Sequence, residues 1–149
     1  ALPFKVINDA DAAGMAEMAY GAGKDKPGLV VVITLGTGIG SGLFLDGKLI
    51  PNTEFGHLRY KNKPFEKYAA DSVRVAEELS YKKWGKRLNK YFNRLELIIS
   101  PDTIIIGGSP SKTLNKFRHH LKSKAEILPA ENKNEAGIIG AALAARSIM

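Results

Sequence analysis

Two short motifs in this chain combine residue types that can carry chemistry. Asn8 and Asp9 follow a short apolar run, and a carboxylate such as that of Asp9 can take a proton from a hydroxyl. Further along, the stretch G-T-G-I-G-S-G from Gly36 to Gly42 offers bare backbone amides that can hold a phosphate, and Thr37 adds a hydroxyl. Together the two motifs predict phosphoryl transfer to an alcohol.

Both motifs also have a purely structural interpretation. Asn8 or Asp9 can cap a helix that starts at this point, and capping is compatible with catalysis. Gly36 and Gly38 can form a tight turn that requires positive φ. Asp11 is the rival carboxylate, but its position favours stabilisation of the helix N-terminus over a role as base. The sequence leaves these alternatives open.

A third motif places a carboxylate and an imidazole three residues apart, at Glu54 and His57. This spacing suits two neighbouring hydroxyls of a sugar. The alternative is that both are solvated loop residues, as polar loop residues usually are. Taken alone, the pair is weak evidence for a sugar site.

The elements that must position these motifs can be read from the apolar periodicity and the turn residues. We predict, in chain order, a helix Asp9–Tyr20; strands Leu29–Leu35, Ile39–Leu45 and Lys48–Ile50; an irregular loop over 52–64; helices over 65–79 and 81–97; a strand over 103–106; a helix over 111–121; a strand over 125–128; and a helix over 135–148. The first three strands form an antiparallel meander, and helices then alternate with strands. This order predicts an α/β fold with a mixed sheet.

Size and composition narrow the possibilities further. A length of 149 residues suits one domain with one core. There is no cysteine for disulfides or a thiolate zinc site, and three histidines make a poor ligand set, so we expect no structural metal. No apolar stretch approaches the roughly twenty residues that span a bilayer, so we expect a cytoplasmic protein without a membrane segment.

The net charge of +7 is unevenly distributed. Between Arg59 and Arg94 lie eleven Lys and Arg against four Asp and Glu, an excess as large as the net charge of the whole chain. Lys82, Lys86 and Lys90 recur every four residues and would form one stripe of a helix, which could follow a polyphosphate chain. The alternatives are a solvated helix face or, from another class of function, a nucleic-acid-binding surface, for which the sequence carries no signature.

Five segments together resemble the ROK-family sugar kinases, and especially the polyphosphate glucokinases among them. These segments are 6–14, 35–41, 51–58, 104–108 and 136–142. Several separate motifs in the same order are a specific signal. The resemblance implies an actin-like, ribonuclease-H-like ATPase fold, in which residues 1–149 form a single domain: the C-terminal lobe with the end of the sugar-binding cleft.

The resemblance also implies roles on the sugar side of the reaction. Asp9 would be the general base on the 6-hydroxyl of glucose, giving glucose 6-phosphate. Four further residues would bind the sugar: Asn8, Glu54, His57 and Glu66.

On the donor side, the resemblance implies that Gly36, Thr37 and Gly38 face the transferred phosphate. Gly107 and Gly108 would lie beside the nucleotide where ATP is the donor. Polyphosphate, ATP or both could serve as donor, together with Mg²⁺. Many relatives carry a cysteine-rich zinc motif after the Glu-x-Gly-His element, and its absence here is typical of the polyphosphate branch.

One departure from the family pattern bears on activity. The first phosphate loop of the family, an Asp-x-Gly-Gly-Thr segment of the N-terminal lobe, has no counterpart in these residues. Because phosphoryl transfer depends on positioning and charge neutralisation, we expect the 149 residues alone not to phosphorylate glucose. The family resemblance suggests a homodimer, and a non-catalytic sugar sensor remains an alternative.

Overall fold

The computed structural model describes residues 6–131 and 135–146. Its α-helices are α1 (Asp9–Tyr20), α2 (Glu66–Ala69), α3 (Asp71–Ala76), α4 (Tyr81–Ile99) and α5 (Ala136–Arg146). Its strands are β1 (Leu29–Leu35), β2 (Ile39–Leu45), β3 (Lys48–Ile50), β4 (Arg59–Tyr60), β5 (Lys63–Pro64), β6 (Thr103–Gly107) and β7 (Glu126–Pro129). Short 3-10 helices lie at Phe55–His57, Ser109–Lys116 and Arg118–His120.

Five of these strands form one mixed sheet in the order β3-β2-β1-β6-β7. β1 pairs antiparallel with β2 and parallel with β6, where Thr34 lies opposite Gly107. The predicted meander and mixed sheet are therefore confirmed. Because β1 and β6 run in the same direction, the turns that follow them, at Gly36 and Gly108, lie at the same edge of the sheet. Ligands of α/β proteins bind at such an edge.

The two faces of the sheet carry separate cores, because side chains alternate along each strand. On one face Val30, Val32 and Ile105 form a small core that is covered by α1. α5 packs on α1, where Gly140 faces the backbone of Ala12 so closely that a side chain would not fit. The sheet is thus enclosed by helices on both sides, since α4 covers the other face.

α4 is the long amphipathic helix that its apolar spacing predicts. Its apolar side is buried in the larger core and contributes Trp84, Leu88, Tyr91, Phe92 and Leu95. Ser80 caps its start, because the hydroxyl oxygen accepts a hydrogen bond from the amide of Lys83 (3.2 Å). The helix passes the predicted end at residue 97 and stops where Ser100 adopts a left-handed conformation (φ 43°).

The prediction of one helix over 65–79 is wrong, because this segment forms two short helices, α2 and α3. They are separated at Ala70, whose backbone is extended (ψ 158°). The indole Nε1 of Trp84 donates a hydrogen bond to the carbonyl oxygen of Ala69 (2.9 Å). That carbonyl therefore has a partner from α4 instead of from a continuing helix. A local pattern could not predict a break that depends on a distant donor.

The predicted helix over 111–121 is not one continuous helix. The segment forms the 3-10 helices Ser109–Lys116 and Arg118–His120, which are interrupted at Phe117 (φ −133°). The Phe117 ring is fully buried, and its centroid lies 4.9 Å from that of Trp84. Anchoring this ring in the core breaks the helical register.

The remaining differences are small. The segment 52–64, predicted as irregular, contains the 3-10 helix Phe55–His57 and the hairpin of β4 and β5. β6 extends to Gly107, and β7 begins and ends slightly later in the chain than predicted. α5 accounts for most of the last predicted helix, and residues 147 and 148 lie outside the described residues. Within 6–131 and 135–146, no helix is long and apolar enough to cross a membrane.

Candidate functional site

The start of α1 lies against β2. Asn8 caps the helix, because its Oδ1 accepts a hydrogen bond from the amide of Asp11 (2.7 Å). A Cβ at Gly40 would lie 2.9 Å from Cβ of Ala10, so glycine in β2 is what lets the helix approach so closely. Asp9, the first residue of α1, is exposed to solvent. The cap therefore leaves the Asp9 carboxylate free to meet a ligand.

The loop that carries Glu54 is fastened to β2 by Ser41. The Ser41 hydroxyl is buried, lies 3.0 Å from Oγ1 of Thr53, and accepts a hydrogen bond from the amide of Phe55 (3.1 Å). These bonds hold the backbone on both sides of Glu54, whose side chain is exposed. This anchoring role of Ser41 was not predicted. A polar residue in an otherwise apolar strand is the signal that could have found it.

Asp11 fastens the same loop to α1. Its side chain is only 1% exposed, and its Oδ2 accepts a hydrogen bond from the amide of Asn52 (3.2 Å). Oδ1 is buried and has no hydrogen-bond partner among the described residues. Burial raises the pKa of Asp11 above its ordinary value, and the negative charge of Glu54 adds to this shift. The contact with the loop was not predicted, because it joins distant parts of the chain.

Glu66 brings the sugar motif and the glycine turn together. It begins α2, and its Oε2 accepts a hydrogen bond from the amide of Ile39 (3.3 Å). Its Oε1 lies 3.7 Å from Nε2 of His57. The same carboxylate occupies the space that a side chain at Gly38 would need. Glu66, a predicted sugar-binding residue, therefore contacts His57, which is another, and also the predicted phosphate turn.

Gly36, Thr37 and Gly38 form the turn between β1 and β2. Neither glycine has positive φ, so the alternative that positive φ explains them does not apply. A Cβ at Gly36 would meet no atom within 4 Å. Within the described ranges, the amides of Thr37 and Gly38 have no hydrogen-bond acceptor. The turn thus offers open space and free donors, the arrangement that binds anions.

The second glycine pair follows β6 at the same edge of the sheet. Gly108 has positive φ (82°), and a side chain there would collide with the carbonyl oxygen of Leu35. A Cβ at Gly107 would lie 3.3 Å from Cγ2 of Thr34. Close packing therefore explains why both positions are glycine, and the two glycines let the end of β6 lie against the end of β1.

The predicted basic stripe is on the exposed side of α4, but its members face different neighbours. Nζ of Lys90 lies 3.3 Å from the Tyr60 hydroxyl and 5.9 Å from the centroid of the Tyr68 ring. Lys82 and Lys86 face the 3-10 helix Arg118–His120 instead. Desolvation lowers the pKa of His120, and the charges of His119, Lys86 and Lys82 lower it further. Lys90 therefore lies beside two tyrosines, whereas Lys82 and Lys86 lie beside two histidines.

Two further features bear on other classes of partner, nucleic acids and metal ions. The aromatic rings interleaved with the lysines of α4 are not available to stack on bases, because Trp84, Tyr91 and Phe92 are at most 1% exposed and belong to the core. In the part of the chain that the structure describes, no group of three or more His, Cys, Asp or Glu side chains could hold a metal ion.

Comparison with known proteins gives consistent likenesses. A family model described as "ROK family" matches residues 1–67. The chain is 48% identical to polyphosphate glucokinase of Mycobacterium tuberculosis over 139 residues, which are 93% of this chain and 52% of that protein. It also resembles the crystal structure of inorganic polyphosphate/ATP-glucomannokinase from Arthrobacter sp. strain KM, with a TM-score of 0.93, 45% identity and coverage of 99% of this chain and 58% of that one.

A ROK family glucokinase from Streptomyces griseus, solved in complex with glucose and AMPPNP, is similar with a TM-score of 0.81 and 24% identity over 98% of this chain and 69% of that one. At this identity the likeness shows the fold alone. The predicted fold class, an α/β lobe of the actin-like ATPase type, is confirmed. The chain spans about half the length of the curated M. tuberculosis relative, 52%.

Proposed function

Because a ROK family model matches residues 1–67 and the chain is 48% identical to a polyphosphate glucokinase, we propose that the chain belongs to the ROK family and is the C-terminal lobe, with the end of the sugar-binding cleft, of a glucose kinase. The kinase transfers a phosphoryl group from polyphosphate, ATP or both to the 6-hydroxyl of glucose and releases glucose 6-phosphate. The likeness to a polyphosphate glucokinase and to a polyphosphate/ATP-glucomannokinase supports this reaction. A homodimer and a role in glycolysis belong to the same proposal and rest on the family resemblance. A cytoplasmic location, which we expect from the sequence, is also part of it.

The observation that carries the proposal is the position of Glu66. Its carboxylate lies 3.7 Å from His57 and accepts a hydrogen bond from the amide of Ile39 at 3.3 Å, directly after the glycine turn. A sugar held by His57 and Glu66 would therefore lie next to the place where the turn offers free amides to a phosphate. Acceptor and donor must meet in this way for an in-line transfer.

On the acceptor side, Asp9 is the general base and takes the proton of the attacking hydroxyl. Asn8 uses Oδ1 for the helix cap, so its side-chain NH₂ remains to donate a hydrogen bond to a neighbouring sugar hydroxyl. Glu54 and His57 bind further hydroxyls from a loop that Ser41 and Asp11 hold in place. The exposure of Asp9 and Glu54 supports these roles, since both must reach a ligand.

On the donor side, the free amides at Thr37 and Gly38 stabilise the charge of the transferred phosphate. The Gly107 and Gly108 turn lies beside it and accommodates the nucleotide when ATP is the donor. For polyphosphate, we include the basic stripe of α4 as the surface that the rest of the polymer follows.

Magnesium belongs to the proposal only as an ion that accompanies the donor. The family's first phosphate loop has no counterpart among the 149 residues. The proposal therefore includes the expectation that these residues by themselves bind glucose but do not phosphorylate it.

A chimera tests the proposal. The chain replaces the matching 52% of the M. tuberculosis relative, and glucose 6-phosphate is measured with ATP and with polyphosphate. The Asp9→Asn variant should lose about 10² to 10⁴ in turnover but keep its affinity for glucose, because the base acts in the transition state. Asp25→Asn, an exposed aspartate elsewhere, is the matched control and should leave turnover unchanged.

Unchanged turnover in Asp9→Asn would exclude Asp9 as the base. A chimera that folds and binds glucose but phosphorylates nothing would favour the sugar sensor. Circular dichroism and gel filtration show whether each variant folds.

A further inference from the structure

The first residues of α3 contact the glycine turn from the side opposite its free amides. The Ser72 hydroxyl donates a hydrogen bond to the carbonyl oxygen of Thr37 (2.7 Å), and the Ser72 amide donates to the carbonyl oxygen of Gly36 (3.0 Å). One serine therefore binds two successive carbonyl groups of the turn. At 2.7 Å, the hydroxyl bond is as short as good O–H···O hydrogen bonds are.

These two bonds fix the orientation of the peptide groups in the turn. A peptide group is planar, and its C=O and N–H point in opposite directions. When Ser72 holds the carbonyls of Gly36 and Thr37 towards α3, the amides of Thr37 and Gly38 must point away from α3. These are the two amides without an acceptor among the described residues.

The same helix start also reaches the second turn. Asp71 binds Nε of Arg74 through Oδ1 (2.7 Å), and its Oδ2 lies 3.5 Å from the hydroxyl of Ser109, the residue after Gly108. Arg74 thereby holds the Asp71 carboxylate in place. The residues Asp71 and Ser72 thus stand between the two turns that follow β1 and β6.

We propose that Ser72 is a positioning residue for the phosphate donor. It orients two carbonyls of the turn towards α3, so that the adjacent amides face the phosphate. This inference rests on the phosphate role proposed for the turn. Without the Ser72 hydroxyl, the peptide between Thr37 and Gly38 is free to rotate, because Gly38 imposes little restriction of its own. A rotated peptide would present a carbonyl oxygen to the phosphate and repel it.

The test uses the 149-residue chain, with tripolyphosphate and glucose as separate probes. Ser72→Ala should weaken tripolyphosphate binding roughly two- to tenfold, the loss expected for one neutral hydrogen bond, and should leave glucose affinity unchanged. Ser72→Thr keeps the hydroxyl and should restore binding. Ser80→Ala removes a comparable hydroxyl bond at the start of α4 and should change neither affinity.

Amide chemical shifts of Thr37 and Gly38 are measured in all four proteins without ligand. We expect them to move in Ser72→Ala alone. Unchanged shifts and unchanged tripolyphosphate binding in Ser72→Ala would overturn the inference. If the wild-type chain does not bind tripolyphosphate although the shifts move in Ser72→Ala, Ser72 still fixes the turn, and the phosphate role under the proposed function is what fails.

Discussion

Glu66 occupies the space next to Gly38 that any other residue at position 38 would need. The same carboxylate approaches His57 to 3.7 Å, so the glycine is what allows a predicted sugar-binding residue to lie against the predicted phosphate turn. The identity of residue 38 and the position of Glu66 are therefore coupled, although the two residues are far apart in sequence.

Gly38→Ala should displace Glu66. The added methyl group would overlap Oε2 of Glu66, the far end of a flexible side chain, so the carboxylate can move aside at little cost in stability. Because Glu66 would move away from His57, we expect glucose affinity to fall by about tenfold or more, the loss expected for a hydrogen bond to a charged group, measured by titration calorimetry on the chain. Wild-type glucose affinity in a folded Gly38→Ala variant would exclude Glu66 as a sugar ligand.

Gly36→Ala is the complementary change in the same turn. A Cβ at this position meets nothing within 4 Å and φ is not positive, so the chain should fold with unchanged stability and glucose affinity. The methyl group would, however, enter the open space proposed for the phosphate. In the chimera we expect a higher KM for the donor and an unchanged KM for glucose. Equal donor KM values in the variant and the unsubstituted chimera would count against a phosphate at Gly36.

Asp11→Asn should change how stability depends on pH. The pKa of Asp11 is raised in the folded chain, so its charged form is less favourable there than in the unfolded chain. The wild type therefore loses stability as the pH rises from the ordinary aspartate pKa through the raised one, and asparagine cannot titrate. We expect the Tm of Asp11→Asn minus that of the wild type to increase from about pH 4 to about pH 7. A difference that is constant or decreases over this range would contradict the raised pKa.

The basic stripe can be tested with both donors in the chimera. Replacing Lys82, Lys86 and Lys90 with glutamine should raise the KM for polyphosphate, reduce the salt dependence of its use, and spare ATP. The control removes the same charge at three other exposed lysines: Lys24, Lys48 and Lys124. An equal effect on both donors, or an equal effect of the control, would identify the stripe as a solvated face.

Much of the fold could be predicted from the sequence where the signal is local. The β-branched run of β1, the Asp46-Gly47 turn between β2 and β3, and the apolar spacing of α4 each specify their element through neighbours a few residues apart. The helix start at Asp9 was predicted for the same reason, since Asn8 is a residue type that caps helices.

The sequence by itself determined the main sheet, the long helix and the set of residue types on which the proposed function depends. Only the tertiary structure decided which of these residues meet. Trp84 breaks a predicted helix at Ala69, Asp11 holds Asn52, and Glu66 reaches His57 and Gly38, all through contacts between distant segments. Such contacts follow from the packing of helices on the two faces of the sheet, and no periodicity along the chain encodes the distance between two side chains that approach each other only after folding.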